Sequence, residues 1–497
     1  MTSTSHAPAR ASVGTSAAAR GRWLMLVVLL GGQFMALLDV TVVNVAMPTI
    51  GRSLHTSGAA LQLVVAGYTV SYAMLLITGA RLGQLYGRRR LFLAGVSLFT
   101  VSSLACGLAP HIAVLIVARF VQGAGAAAMV PQIISVIQAQ FSGSARAKAL
   151  SAYSAVLASG FAAGQVLGGV IVSANLFGTL WRPVFLVNVP IGLVVLALAA
   201  RMVPADVRAA DRGTRRLDLA GLAVAVPAVF LIVLPLVLGH QEGWPWWVPA
   251  GVAAGLVLAV MFVWVERRLA ARGGDPLLNL DVLRSPGIVP GLATVMLVMC
   301  AYGGFLFTLS LHLQSGLGDS ALRAGLTFAP SAAAFGLCGF YWRKLPERIH
   351  HLLPPVGVLL AAVGEVALAL DLRSGSRGGL ALPLVLLFTG AALGLGYSPL
   401  VTQALARVPL ADAADASGLL TTALQLGQVI GVAIFGSLFL TLAARAGHGA
   451  HPVANTLPAA PHAIATTSVW LAALFAISAV TALSLTRAVA RSRNAGR

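Results

Sequence analysis

The chain has 497 residues, 58% hydrophobic and only 9% charged, where a soluble domain carries about 25% charged residues. This composition excludes a soluble enzyme or binding domain and indicates a membrane protein. The formal charge of +19 does not call for a nucleic-acid partner, because the basic residues lie in short gaps between apolar runs, where they set membrane orientation.

In chain order, residues 1–22 carry positive charge and small residues and read as a disordered cytoplasmic tail. The apolar run from Trp23 outlasts the roughly 7–15 residues of a signal-peptide core. It also contains Asp39 and Asn44, so it is expected to remain as a first span. A bilayer-crossing helix needs about 20 apolar residues. Such runs fall at 23–46, 60–79, 91–109, 112–134, 150–173, 182–200, 217–238, 246–265, 288–311, 322–342, 353–370, 380–403, 417–441 and 467–487.

The expected fold class is therefore all-α and polytopic, with fourteen spans. Basic residues crowd the even-numbered gaps, from Arg81 to Arg407, whereas the odd-numbered gaps hold only Arg52, Arg182, Arg373, Arg377 and Arg445. This bias places both termini in the cytoplasm. Removing 217–265 leaves six spans on either side, which suggests two parallel six-helix repeats around an inserted pair. The expected division is a tail (1–22), a six-helix bundle (23–200), an inserted two-helix segment with linkers (201–287), a second bundle (288–487) and a tail (488–497). Arginine outnumbers lysine 31 to 2 and alanine is abundant, as in a GC-rich bacterial genome.

Several features read as structural. Trp244, Trp246 and Trp247 fit an interfacial aromatic belt. Cys106, Cys300 and Cys338 read as packing residues. His448, His451 and His462 in the long 442–466 loop lack regular ligand spacing, so no metal or cofactor is expected. No soluble gap reaches 30 residues, and the chain does not read as an enzyme.

Three constellations carry more. Asp39 and Arg119 lie at matching depth in spans one and four, and charges inside a membrane mark functional sites or compensating pairs. A proton on the acid would release the arginine, while a static salt bridge would only fix the bundle. Glu365 in span eleven is a second proton site, a counter-charge for a cationic substrate, or a residue reaching the headgroups. Gly160, Gly164 and Gly168, followed by Gly169, make a smooth face on span five, and Gly427 and Gly431 do so on span thirteen; close packing and gating both account for them. Gly79, Gly83 and Gly87 punctuate the turn 79-GARLGQLYGRRRLF-92, where Arg88 and Arg89 can meet headgroups or helix ends.

With these residues in view, the chain resembles the fourteen-helix drug:proton antiporter family of the major facilitator superfamily. The resemblance rests on 38-LDVTVVNVAMP-48, on Leu82, Gly87, Arg88 and Arg89 of a conformational-latch signature, on Arg119, Gln122 and Gly123, and on 181-WRPVFLVNVPIG-192, 313-LQSGLG-318 and 418-GLLTTALQLGQVIG-431. It departs from the family at Ala80, Gln84 and Leu85, where glycine, aspartate and arginine are usual, and at Gln165 in place of a proline. With Gln84 in place of the acid, the resemblance implies a charged latch that is either weakened or replaced by neutral hydrogen bonds.

The resemblance implies proton-coupled efflux of an amphipathic drug, dye or antibiotic across a bacterial cell membrane, by a monomer whose halves rock about a central cavity. Protons, the solute and membrane lipids are its implied partners. Asn44, Tyr68, Tyr72, Gln122, Asn188, Tyr302, Tyr397 and Gln425 are the cavity candidates it implies, unless they satisfy one another between helices. The alternative function is an uptake symporter or facilitator for a small metabolite.

Overall fold

The computed structural model describes residues 11–56, 58–174, 178–205, 218–239, 243–274, 276, 280–373, 379–406, 408–409, 412–446 and 461–494. Among them the chain is helical throughout, because backbone in lipid must satisfy its hydrogen bonds within the segment. The helices are α1 (Ala11–Ser53), α2 (Gly58–Tyr86), α3 (Arg88–Leu108), α4 (Ile112–Gln140), α5 (Gly143–Ala174), α6 (Pro183–Leu186) and α7 (Asn188–Met202). An intervening pair, α8 (Leu219–Leu238) and α9 (Trp247–Ala271), precedes α10 (Ile288–Leu311), α11 (Ala321–Tyr341), α12 (Leu353–Leu372), α13 (Ala381–Leu405), α14 (Ala413–Ala446) and α15 (Pro461–Asn494).

Among the described residues eleven helices are long and apolar enough to cross a membrane. They become twelve if the arms of α2, Leu63–Leu76 and Thr78–Tyr86, bent by 51°, form one span. The expected count of fourteen is thus not reached on this measure. The seventh expected span is the shorter apolar helix Ala220–Leu236, and the fifth falls on α5, Gly143–Ala174, which is not among the eleven. α1 begins at Ala11, in an Ala-rich stretch before Trp23 that has high helix propensity. At the other end α15 runs to Asn494, into the expected second tail.

The helices form two six-segment bundles with matching internal pairings. α1 packs on α5 as α10 packs on α14, α2 on α4 as α11 on α13, and α3 on α4 as α12 on α13. Small residues set the spacing. A Cβ at Gly164 would stand 3.1 Å from the Leu38 carbonyl of α1, and one at Gly431 only 1.8 Å from the Cys300 carbonyl of α10. A Cβ at Gly79 would stand 2.0 Å from the Ala127 carbonyl on α4. The glycine faces therefore lie inside each bundle, where they let neighbouring backbones touch. Hydroxyls buried in the bundles turn back on their own helices, as in Thr100 to Val96 O and Thr421 to Ser417 O, both 2.7 Å, which satisfies them within the helix.

The inserted pair is not a detached appendage. α8 packs against α2 of one bundle and α14 of the other, through Val70 and Ala73 with Val229 and Val233, flanked by Leu426 and Val429. Asp218 caps α8 by accepting from Gly221 N at 2.9 Å. α9 lies outside α8 with Val257, Val260 and Trp264 exposed, and Trp246 is 82% exposed, as membrane-facing and interfacial residues are.

Gly431→Ala is expected to push α14 off α10 and lower stability by about 1–3 kcal/mol. Gly21→Ala, where nothing lies within 4 Å, should be silent. Thermal unfolding of both variants in detergent checks this.

Candidate functional site

Asp39 sits on α1 among the buried Leu38, Val42 and Val43. Its carboxylate is fully enclosed, and Arg119 of α4 forms a buried salt bridge to it. Arg119 Nη1 donates to Asp39 Oδ2 and to Gln122 Oε1 at 2.7 Å, while its Nε donates to the Val64 carbonyl of α2 at 2.9 Å. The other carboxylate oxygen accepts from Gln122 Nε2 at 2.8 Å and from Asn188 Nδ2 of α7 at 2.9 Å. Gln122 Nε2 also donates to Ser103 Oγ at 2.7 Å, and the Cys106 thiol reaches Gln122 Oε1 at 3.7 Å.

Local sequence explains this convergence. Gly123, four residues beyond Arg119, has no side chain where a Cβ would be 2.4 Å from the Tyr68 carbonyl. α2 can therefore close on α4, bringing the Val64 carbonyl to Arg119 and the Tyr68 ring to 4.5 Å from its guanidinium carbon. Trp181, Phe185 and Asn188 recur at i, i+4 and i+7. Trp181 is buried against Phe185 at 5.9 Å, and Phe185 approaches Arg119 from a second side at 5.8 Å. A buried ion pair is tolerable only when its remaining lone pairs and protons are also satisfied, and these helices supply that shell. A proton on Asp39 would cancel one member of the pair and release three donors together.

Of the residues singled out in the sequence, Asp39, Arg119, Gln122, Asn188 and Tyr68 meet here, within the N-terminal bundle. Tyr72 is buried beside Tyr68, ring centroids 5.8 Å apart. The side chain of Asn44 lies outside the described residues. Sequence reasoning missed Ser103 and Phe185, and took Cys106 for a packing residue. Ser103 and Cys106 sit three apart on one face of α3, a polar pairing that the sequence does display.

Glu365 stands apart. It is fully buried on α12, and neither carboxyl oxygen has a hydrogen-bond partner among the described residues. α12 packs on α15, whose Ser468 faces the carboxyl. A side chain reaching the headgroups would be exposed, so that expectation is corrected by the burial.

Between the bundles is a cavity of only about 10 Å³, lined by Leu37, Leu157, Met299, Tyr302, Phe335, Tyr397, Leu424 and Gln428. Tyr302 and Tyr397 were expected there. Tyr68, Tyr72, Gln122, Asn188 and Gln425 are not among the lining residues; Gln428, one helical turn beyond Gln425, is. Drug-sized sites occupy roughly 300–1,000 Å³, so this space is closed to any drug-sized solute unless the bundles part. Leu37 and Asp39 share α1, two residues apart, which joins the cavity wall to the ion pair.

At the end carrying the α2–α3 turn the bundles are tied together. Arg81 Nη1 donates to Gln84 Oε1 at 2.7 Å, and Gln84 Nε2 donates to Asp415 Oδ1 at the start of α14 at 2.8 Å. Trp342 Nε1 donates to Ser151 Oγ of α5 at 2.8 Å, and Arg343 donates to the Ser144 carbonyl. Ala80 and Gly418 complete the approach, a Cβ at Gly418 falling 3.1 Å from that of Ala80. Gln84, itself neutral, relays by hydrogen bonds between a cation and an acid that α14 supplies. Gly87 turns the chain with φ of 100°, and Gly83 leaves room for Gln132, whose Nε2 donates to the Gly79 carbonyl at 2.9 Å. Arg89 donates to the Ala200 carbonyl near the end of α7.

Arg119→Leu alone should strand a buried carboxylate and cost about 3–5 kcal/mol, much of it recovered in the Asp39→Leu/Arg119→Leu double variant; thermal unfolding of the three proteins measures the coupling. Restoring the usual aspartate by Gln84→Asp should weaken the tie to Asp415 by about 1.5–3 kcal/mol through a lost donor and like-charge contact. Gln84→Asp/Asp415→Asn should restore it, as read by spin-label distances between α2 and α14.

Residues 29–432 match the Major Facilitator Superfamily. The chain is 37% identical over 425 residues to the "Probable actinorhodin transporter" of Streptomyces coelicolor, covering 85% of this chain and 73% of that protein. It is 37% identical over 416 residues to the "Cephamycin export protein CmcT" of Amycolatopsis lactamdurans, covering 82% and 83%. In fold it is similar to the proton:xylose symporter XylE bound to 6-bromo-6-deoxy-D-glucose, with a TM-score of 0.63 at 14% identity over 92% of this chain and 94% of that one. Paired bundles, an enclosed ion pair beside a central cavity, and these likenesses agree: the chain is a multi-pass membrane protein that belongs to the major facilitator superfamily, a family of non-catalytic carriers, and is related to its bacterial antibiotic and multidrug transporters.

Proposed function

We infer that this protein is a fourteen-span drug:proton antiporter of a bacterial inner membrane, exporting a small amphipathic organic compound as protons enter. Both termini are placed in the cytoplasm by the basic-residue bias, and the working unit is a monomer. The observation that carries the reading is the Asp39–Arg119–Gln122–Asn188 network, buried within one bundle yet sharing α1 with the cavity wall. The antibiotic and multidrug relatives support export over uptake.

The steps follow from the contacts. Proton binding at Asp39 loosens its hold on Arg119, Gln122 and Asn188. α1 then shifts against α4 and α7, carrying Leu37, and α5 follows through the Gly160 and Gly164 contacts with Leu37 and Thr41. Leu37 and Leu157 move at the cavity wall, and the Gln84–Asp415 tie parts as the halves rock. In the fully buried Glu365 the second bundle holds a further proton-binding carboxyl.

In proteoliposomes with an imposed proton gradient, the wild type should move solute against the proton flux, and Asp39→Asn should abolish gradient-driven movement while leaving solute binding within about threefold. Glu365→Gln should retain exchange with fewer protons moved per solute. Solute and protons moving in the same direction, or an unimpaired Asp39→Asn, would sink the reading.

A further inference from the structure

Gln122 touches both members of the buried ion pair. Its Oε1 accepts from Arg119 Nη1 at 2.7 Å, and its Nε2 donates to Asp39 Oδ1 at 2.8 Å. A primary amide offers two donors and two acceptor lone pairs, and the second of each goes to α3. Nε2 also donates to Ser103 Oγ at 2.7 Å, and Oε1 also accepts from the Cys106 thiol at 3.7 Å. The amide is therefore fully used.

Asn188, the other amide on Asp39, is held differently. It donates to the same carboxylate oxygen at 2.9 Å, while its Oδ1 is buried with no hydrogen-bond partner among the described residues. The α3 anchors of Gln122, by contrast, stand on a fixed base. Ser103 and Cys106 lie three residues apart and are both fully buried. α3 meets α4 at backbone contact: a Cβ at Gly125 would stand 2.7 Å from Phe99 N, and one at Gly95 2.7 Å from Met129 N.

These contacts decide what each amide can do when a proton arrives. A carboxylate needs only donors, whereas a protonated carboxyl also needs an acceptor for its O–H. Gln122, its carbonyl committed to Arg119 and Cys106, supplies the donor alone. Asn188 can turn and supply the acceptor. We propose that Ser103 and Cys106 are positioning residues for proton coupling: they keep Gln122 a donor to Asp39, which favours the charged carboxylate and leaves Asn188 of α7 as the amide that answers the proton. This rests on the Asp39 switch inferred above. Among the described residues the charged and titratable groups facing Asp39 are Arg119 of α4, Tyr68 of α2 and Cys106 itself. α5 meets α1 through Gly160 and Gly164, α6 is wholly apolar, and α7 presents the neutral Asn188.

The test uses the full-length protein in lipid nanodiscs without solute, spin-labelled on α2 and α14 at the Gln84–Asp415 end, and follows the label separation against pH. The wild type should show a pH-driven change that Asp39→Asn abolishes. In Ser103→Ala/Cys106→Ala the Gln122 amide is free to turn, and hydrogen bonds that favour the charged carboxylate weaken. The midpoint should then rise by about one pH unit. Ser103→Ala/Cys106→Ser, which returns one anchor, should recover most of that shift. Ser102→Ala removes a buried α3 hydroxyl that bonds only its own helix and should leave the midpoint unchanged. The proposal is overturned if the double alanine variant keeps the wild-type midpoint, or if Ser102→Ala moves it as far. Should the double variant not fold, Cys106→Ala alone carries the test, with a smaller rise expected and an unmoved midpoint counting against the proposal. A wild type with no pH-driven change, or a change that survives Asp39→Asn, sinks the Asp39 switch and this proposal with it; an Asp39-dependent change indifferent to Ser103 and Cys106 sinks this proposal alone.

Discussion

A carboxylate and a guanidinium enclosed together in a hydrocarbon environment constrain everything around them. Each charge alone would lose several kcal/mol on leaving water, so the fold must supply not only the partner charge but also every remaining donor and acceptor. Asp39 draws α4 through Arg119 and Gln122, and α7 through Asn188. Arg119 draws α2 through the Val64 carbonyl and the Tyr68 ring, and Gln122 draws α3 through Ser103. Five of the helices in this bundle are therefore positioned by one ion pair. The same economy makes the site responsive, since altering one charge disturbs several helix contacts at once.

The second bundle repeats the packing but not the chemistry. Gly427 and Gly431 bring α14 onto α10 as Gly160 and Gly164 bring α5 onto α1, yet no paired charge occupies the equivalent interior among the described residues. Aromatic rings gather on its cavity face, and its buried acid faces α15. The halves have thus diverged within a common frame: one bundle holds a polar, charge-bearing interior and the other presents a ring-lined wall. α1 connects them, because Leu37 and Asp39 are separated by less than one helical turn.

Closure at the α2–α3 end shows how a departure from the family pattern is accommodated. Gln84 cannot carry a charge, but its amide offers both a donor and an acceptor. It uses the acceptor for Arg81 and the donor for Asp415, so the tie still runs from a cation to an acid, with the acid relocated to the opposite bundle. α8 lies along the same seam, touching α2 and α14. The inserted pair is therefore anchored through α8 across the boundary between the bundles, which its position between the repeats in the sequence does not reveal.

The sequence by itself determined the membrane class and the candidacy of Asp39 and Arg119, because hydropathy and the cost of a buried charge are local properties. It also determined the small-residue faces, though not that they close contacts inside each bundle. Tertiary structure alone decided which polar residues belong to which site. Tyr68, Gln122 and Asn188 could by sequence line a cavity or pair between helices; they face Asp39 and Arg119, while Gln428 rather than Gln425 lines the cavity. Asp415, remote in sequence from Gln84, becomes its partner only when the bundles meet. The reason is geometric: a helix spreads its residues over all directions, and whether a polar side chain finds another helix, the cavity or the seam depends on rotation and contact between segments far apart in the chain.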